Sequence, residues 1–411
     1  MTAARNGLIA ALDVGSTKIC CFIAKVEDGR PRVIGQGHGQ SRGMRGGTVV
    51  DIEEAERAVR TVVEQAERVA GETIKDVFLT TNAGEPLSHH VDVEVQIGGA
   101  EIGDADIRRG LAQGRAIQLP ADRTVLHSIP VNFTADGSVP LRNPRGLFAE
   151  KLTLHMHSVS GRTSPLRNLA HCVQRAMLNP VGIVVAPFSA GLACLVEDEI
   201  GLGSTVIDCG GGTTSIAVFY QGALVYSDVV PIGGVHITND IARGLSTAVS
   251  DAERLKSLHG TCLQGHHDDE TIPVPQVGEA DDQRVEQVPK SLLNGIIRPR
   301  VEEILELVRE RVSKSGFERQ AGRRVVLTGG ASQLQGFREM SARVLDKQVR
   351  IGRPIGIAGL ADAMGGPAFA ASAGLLIYAL KERAEAPSTE PARRGGLKAM
   401  FDPRTWLRAT S

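Results

Sequence analysis

The sequence predicts an α/β protein of two related halves that face each other across a cleft. An α+β unit is inserted into the first half, and an amphipathic tail follows the second. Three observations carry this. Apolar strand runs and helical patterns alternate along residues 8–83 and resume from about residue 164. Two stretches, LIAALDVGSTKICCFIA and STVIDCGGGTTSIAVF, repeat one layout: apolar strand, aspartate, one residue, glycine, small hydroxyl residues, apolar strand. Between them, residues 84–163 change character and alternate like half-exposed strands around one short helix.

The elements follow in order. LIAALDV (8–14) and KICCFIAKV (18–26) are apolar runs joined by Gly15-Ser16-Thr17, the pattern of a buried hairpin. A glycine-rich stretch, GQGHGQSRGMRGG (35–47), comes next. Asp51, with Glu54 three residues on, opens a helix as a capping box does, and Ile52, Ala55, Val59, Val62, Val63, Ala66 and Val69 keep its period to Gly71. DVFLTTN (76–82) is a strand. In the inserted unit, HHVDVEVQI (89–97) and KLTLHMHSVS (151–160) alternate, DADIRRGLAQGRAI is a helix, and TVLHSIPVNFTADGSVPL reads as a hairpin around Asp136-Gly137. Past residue 164 come helix SPLRNLAHCVQRAML, strand GIVVAP and helix SAGLACLVEDE, then strands STVIDCG and TTSIAVFYQ around a three-glycine turn. TNDIARGL and DAERLKSL are helices, 259–288 is polar and loop-rich, and a long amphipathic helix spans about 290–315. RRVVLTGGASQLQGF is strand, turn and helix, GPAFAASAGLLIYAL is a helix ending near Leu380, and 383–396 has linker composition.

Bulk composition excludes several classes. A net charge of −1 gives no global pull toward nucleic acid, and aromatics at 3% do not suit a stacking surface. No apolar run is long enough to span a bilayer. Six cysteines without a C-x-x-C pair fit a reducing compartment, and the N-terminus lacks a signal-peptide core, so a cytoplasmic body is expected.

The repeated layout carries chemistry. Gly15, Gly210, Gly211 and Gly212 let backbone N–H groups approach an anion closely and permit positive φ in the turns. Ser16, Thr17, Thr213 and Thr214 add hydroxyl donors. Each first strand ends on an aspartate, Asp13 or Asp208, and two carboxylates beside a polyphosphate repel it unless a divalent cation lies between, held through its water shell. The pair, 195 residues apart, therefore implies a nucleotide–Mg²⁺ site between the halves. VVLTGGASQLQGF (325–337) adds a third part, a strand into Gly329-Gly330 opening a helix, flat enough to meet a nucleoside with the helix N-terminus toward its phosphates.

In this order the three parts resemble the actin-like ATPase superfamily. At finer grain SRGMRGGTVVDIEEA, PIGGVHITNDIARGL, SDAERLKSLHG, RPRVEEILELVRERV and QVRIGRPIGIAGLAD resemble the FtsA family of bacterial division proteins, over nearly the whole chain to residue 381. The resemblance implies an actin-like ATPase fold with two hinge helices, SAGLACLVEDE and GPAFAASAGLLIYAL. It implies subdomain 1A at 1–83 and 164–195, an inserted subdomain 1C at 84–163, 2A at 196–235 and 305–361, 2B at 236–304, and a return helix at 362–382. The linker (383–396) and a membrane-targeting segment (397–411) follow.

The resemblance also implies ATP and Mg²⁺ as cofactors, with the phosphate-1 turn at Asp13–Lys18, phosphate-2 at Asp208–Thr214 and adenosine at Thr328–Ala331. Lys18 and the hairpin amides would contact phosphates, Asp13 and Asp208 the Mg²⁺ waters, and Glu253 and Lys256 the ribose and adenine. A water-activating carboxylate is expected at the end of the first hinge helix, at Glu197, with Asp198 and Glu199 beside it. Implied partners are the FtsZ C-terminal peptide on 236–304, with Arg300 at the start of the long helix facing its acidic tail, other copies of the chain in filaments, and later division proteins on 84–163. The implied activity is ATP binding with weak or switch-like hydrolysis, at the cytoplasmic face of the cell membrane and the division septum.

Two other classes share features. A sugar-kinase-like phosphotransferase has both hairpins, but no motif for its catalytic aspartate is found. An FtsA-like pilus-assembly ATPase is the nearer alternative, and it is not expected to carry the linker and tail. His259, Cys262, His266, His267, Asp268 and Asp269 are ligand types without ordered zinc spacing and read as a polar loop. In the tail, residues 392–411 set Arg393, Arg394, Lys398, Arg404 and Arg408 against Asp402, a local charge of +4, beside Leu397, Met400, Phe401, Leu407 and Trp406, the chain's one tryptophan. This fits an interfacial anchor on anionic lipid, and Pro403 after Asp402 predicts two short pieces, 397–401 and 403–410.

Overall fold

A computed structural model describes residues 7–265, 269–277 and 285–385. The first hairpin pairs β1 (Leu8–Val14) with β2 (Lys18–Glu27), Asp13 opposite Cys20. The glycine-rich stretch, to which the sequence assigned no element, continues the sheet as β3 (Arg30–Gln40). A Cβ on Gly35 would stand 2.4 Å from the Ala66 carbonyl oxygen, and one on Gly37 2.2 Å from that of Val62. Glycines here clear a strand face so that α1 (Ile52–Ala70) can lie directly on it, after the short ladder of β4 (Met44–Arg45) and β5 (Thr48–Val49). Asp51 caps α1 by accepting from the Glu53 and Glu54 amides at 3.0 Å each. The Glu54 carboxylate turns to Arg57, so only half of the capping box forms.

β6 (Asp76–Thr81) runs parallel to β1. The inserted unit then contributes β7 (Leu87–Gln96), α2 (Asp104–Arg115), β8 (Arg123–Ala135) and β9 (Lys151–Arg162), in the antiparallel sheet order β7-β9-β8. The expected hairpin around Asp136-Gly137 is reduced to a single bridge, Phe133 to Leu141, because β8 takes β9 as its ladder partner. Gly110 and Gly114 let α2 settle onto Leu154 and Met156, over a separate core that includes Val95, Ile102, Ile107 and Leu152. After α3 (Thr163–Arg175), β10 (Asn179–Val185) completes the first sheet in the order β10-β6-β1-β2-β3.

The next helix is shorter than expected. α4 (Ala186–Cys194) ends where Leu195 turns extended, and α5 (Glu197–Leu202) starts anew. The second half then unfolds through β11 (Ser204–Cys209), β12 (Thr214–Tyr220), β13 (Ala223–Val230), α6 (Gly234–Gly244) and α7 (Val249–His259). The stretch read as loop contains a hairpin of β14 (Thr271–Pro275) and β15 (Val285–Pro289), whose Ile272, Val274 and Val288 are buried. α8 (Lys290–Lys314), β16 (Arg324–Thr328), α9 (Phe337–Leu345), β17 (Gln348–Ile351) and α10 (Ala370–Glu385) follow. The second sheet has the order β13-β12-β11-β16-β17. Counted within each half, both sheets run third, second, first, fourth, fifth, with the first three strands antiparallel and the last two added parallel. The halves are topological repeats.

Among the contacts that join them, two involve whole elements. α4 and α10 cross so closely that a Cβ on Gly374 would fall 1.7 Å from the Ser189 carbonyl oxygen, while the Ser189 hydroxyl donates to the Ala371 carbonyl at 2.6 Å. The inserted unit, part of the first half by chain order, docks on β13 of the second. His157 Nδ1 donates to the Leu224 carbonyl at 2.9 Å and His90 Nε2 to that of Val225 at 2.8 Å. A bulge opposite Val218 and Phe219 turns both successive carbonyls toward the histidines. Burial pushes the His157 imidazole down to about 3, so it stays neutral in this contact. All six cysteines are buried and unpaired.

Candidate functional site

The repeats bring the two hairpin turns together tip to tip. In the first, the Gly15 amide donates to the Lys18 carbonyl at 2.9 Å, and in the second the Gly210 amide donates to that of Thr213 at the same distance. None of Gly15, Gly210, Gly211 and Gly212 has positive φ, so the expected use of glycine for turn conformation is corrected. Their use is close approach. A Cβ on Gly211 would lie 2.4 Å from Thr17 Oγ1, and one on Gly212 2.4 Å from Ser16 Oγ. Behind the second turn, the amides of Gly234 and Val235 at the start of α6 donate to the Gly210 and Gly211 carbonyls.

Between the tips lies a narrow cleft that opens to solvent. Asp13, Ser16, Thr17, Lys18, Asp208 and Thr213 line it, with Gly329 and Gly330 at one side. Asp13 and Asp208 reach it as the penultimate residues of β1 and β11. Asp13 Oδ1 accepts from Thr80 at 2.5 Å and Oδ2 from Ser372 at 3.1 Å. Asp208 is 9% exposed, and burial with Asp13 nearby pushes its carboxyl up to about 7, partly offset by Lys18. Such a pair is electrostatically incomplete and suits a divalent cation. The Lys18 ammonium donates to the Ala368 carbonyl and sits 4.0 Å above the Phe369 ring. Thr214 turns away from the cleft, its hydroxyl donating to the Ile232 carbonyl.

A wider region adjoins, sharing Ser16, Thr17, Gly211 and Gly330 as walls. Glu253, Lys256, Thr238 and Ala331 line it. The Lys256 ammonium donates to Thr238 at 2.8 Å and to Glu253 at 2.7 Å, so the two residues from one face of α7 act as a fixed pair. Gly329, at φ 86°, could carry no side chain, since its Cβ would stand 2.4 Å from Asp208 Oδ1. The turn it begins is a 3₁₀ turn, Gly330–Gln333, and α9 starts only at Phe337, which corrects the expected helix N-terminus at this point.

Two expected residues stand elsewhere. Glu197 is exposed at the start of α5 and does not line the cleft, because the helix meant to carry it stops at Cys194. Its buried neighbour Glu199 is locked by Arg350, whose Nε donates at 2.8 Å and which holds that carboxyl below its usual range. Arg300 lies inside α8, not at a helix start, and grips Asp240 through Nε at 2.5 Å and Nη2 at 3.2 Å. The sequence passed over Thr80, Asn82, Gly234 and Ser372. Only the glycine pair Gly233-Gly234 before a helical run left a local sign. Residues 266–268 and the tail 386–411 lie outside the described residues, and among the described residues no group of three or more metal-ligand side chains occurs.

Duplicated sheets, two facing turns and crossed connecting helices define the class: a two-half nucleotide-cleft protein of the actin-like ATPase fold. Solved structures agree on that fold. The PilM–PilN type IV pilus biogenesis complex matches with a TM-score of 0.63 at 15% identity, covering 90% of this chain and 98% of that one. MreB5 of Spiroplasma citri bound to ADP matches with a TM-score of 0.55 at 13% identity, covering 92% and 99%. The family is shown by sequence. The model for cell division protein FtsA matches residues 205–374, and that for the SHS2 domain inserted in FTSA matches 84–160. Cell division protein FtsA of Rhizobium meliloti (strain 1021) is 44% identical over 386 residues, 91% of this chain and 87% of the relative. FtsA of Escherichia coli (strain K12) is 32% identical over 381 residues, 90% of each. The chain belongs to the FtsA family of cell division proteins.

Proposed function

We propose that the chain binds ATP and Mg²⁺ in this cleft, assembles into actin-like filaments on the cytoplasmic face of the membrane at the septum, and tethers FtsZ filaments there. The observation that carries the nucleotide part is the pair of turns meeting tip to tip with an aspartate behind each. Asp13 and Asp208 would hold the ion through its waters, since two carboxylates leave most of its coordination to water. The ion would neutralise the phosphates. Lys18, the turn amides and the hydroxyls of Ser16, Thr17 and Thr213 would bind them, and the Glu253–Lys256 pair would face the ribose and adenine beside Gly329, Gly330 and Ala331.

Membership of the FtsA family and the tail's composition support the remaining assignments. Subdomain 2B (236–304) would receive the FtsZ C-terminal peptide, and 84–163 later division proteins. Arg300 enters this as part of an ion-pair network, so an acidic peptide would compete with Asp240 and Glu303 for it. The tail (397–411) would anchor the chain on anionic lipid through Leu397, Met400, Phe401, Trp406 and Leu407, with Lys398, Arg404 and Arg408 toward the headgroups. The curated FtsA relatives favour this reading over the pilus-assembly and sugar-kinase alternatives.

The test is co-sedimentation of the full chain with anionic vesicles and FtsZ in Mg²⁺-ATP. Wild type should pellet with both. Trp406→Glu should lose the vesicles and keep ATP binding, and a wild-type chain that pellets with neither refutes the tethering role.

A further inference from the structure

We propose that Asn82 orients the water that attacks the terminal phosphate of the bound nucleotide, so that hydrolysis relies on a neutral amide in place of a carboxylate base. This rests on the nucleotide assignment above.

The first argument is an account of the acids. Among the described residues lining the phosphate cleft, only Asp13 and Asp208 are carboxylates. Asp13 is held by Thr80 and Ser372, and Asp208 faces it, so both belong to the cation side. Glu197 is exposed outside the cleft and Glu199 is tied to Arg350. Among the described residues no third carboxylate lines the cleft to take a proton from water.

The second argument is Asn82 itself. β6 pairs parallel with β1 so that Thr80 lies beside Asp13, and this register carries Asn82 into the cleft two residues further on. Its Nδ2 donates across the cleft to Thr213 Oγ1 at 3.1 Å. Its Oδ1 is enclosed, with no hydrogen-bond donor among the described residues. A buried acceptor left so costs roughly 1–3 kcal/mol, which a donor such as a water O–H would recover.

Phosphoryl transfer passes through a loose transition state, so the attacking water needs orientation more than deprotonation, and an amide suffices. The water oxygen bonds to the terminal phosphorus as the bridging P–O bond breaks, its electron pair leaving with ADP. The water proton passes to an oxygen of the released inorganic phosphate. Since Asn82 belongs to the first half and Thr213 to the second, the amide is in place only when the halves are closed on each other.

The experiment measures single-turnover hydrolysis at saturating Mg²⁺-ATP, together with the Kd of a fluorescent ATP analogue, on the full chain. Asn82→Ala should slow hydrolysis on the order of 10²-fold with the Kd unchanged. Asn82→Asp keeps the size and adds a titratable acceptor, so its rate should stay measurable and rise with pH where the wild-type rate is flat. The proposal is overturned if Asn82→Ala hydrolyses at the wild-type rate. It is also overturned if rate and affinity fall together, the mark of a merely structural bridge, or if the wild type binds ATP without releasing phosphate. A wild type that binds no analogue overturns the nucleotide assignment itself, a result separable from the others by the Kd alone.

Discussion

In the first hairpin the Gly15 amide closes the turn on Lys18, and in the second the Gly210 amide closes it on Thr213, both at 2.9 Å. Aligned on that bond, Lys18 corresponds to Thr213, Ser16 and Thr17 to Gly211 and Gly212, and Asp13 to Asp208. The backbone is repeated while the side chains are complementary. Hydroxyl residues of one turn fill the space that glycines leave in the other, and one lysine serves both. The aspartates differ as well: Asp13 has two hydroxyl donors, whereas Asp208 is buried with no donor recorded among the described residues. A duplicated fold has thus become a divided site, with bulk and positive charge on one side and room on the other.

The largest expected effect breaks the asymmetry of the aspartates. Asp208→Asn should lower Mg²⁺-dependent ATP affinity by roughly 10²-fold, read by calorimetry with and without chelator. It should also change stability, and the sign follows from the raised carboxyl. The folded chain keeps the Asp208 proton up to about pH 7, against 3.8 for the unconstrained group, so it binds more protons than the unfolded chain across that window. Stability from this group is therefore full below 3.8 and lost as pH rises through 7. The nucleotide-free variant should melt higher than wild type at pH 8, with the gap narrowing toward pH 5. An equal gap at both pH values would contradict this account of Asp208.

The next effect tests the fit of the turns. Gly212→Val should cost about 1–3 kcal/mol in urea unfolding by driving Ser16 aside, and Ser16→Gly in the same chain should restore part of it. Additive losses would mean that the turns do not meet. The smallest makes the first turn like the second. Lys18→Thr should weaken ATP about tenfold and lower the melting temperature only modestly, because the ammonium's bond to the Ala368 carbonyl and its contact with the Phe369 ring are lost with it.

Much of this site was legible because its devices are local. A strand, an aspartate and a glycine turn lie within a dozen residues, and two copies made chance an inadequate explanation. What escaped was made by pairing at a distance. Asn82 and Thr80 gain their places from β6 lying beside β1, and Ser372 from α10 lying beside both. The glycines of β3 hide a strand because their purpose is contact with α1, which periodicity cannot express. Glu197 was misplaced by assuming one helix where Leu195 breaks the chain in two. Arg300 was put at a helix start, yet α8 begins ten residues earlier, at Lys290, and carries Pro299 inside.

The contact of the inserted unit with β13 has a consequence for solubility. β13 is the outer strand of its sheet, and an open strand edge is a template for pairing with another molecule. Here His157, His90 and Ser88 occupy its backbone groups at Leu224, Val225 and Ser227, so the edge is closed by side chains instead of a further strand. The inserted unit is thereby a guard against edge-to-edge aggregation. Copies that meet must then do so through other surfaces than this strand edge.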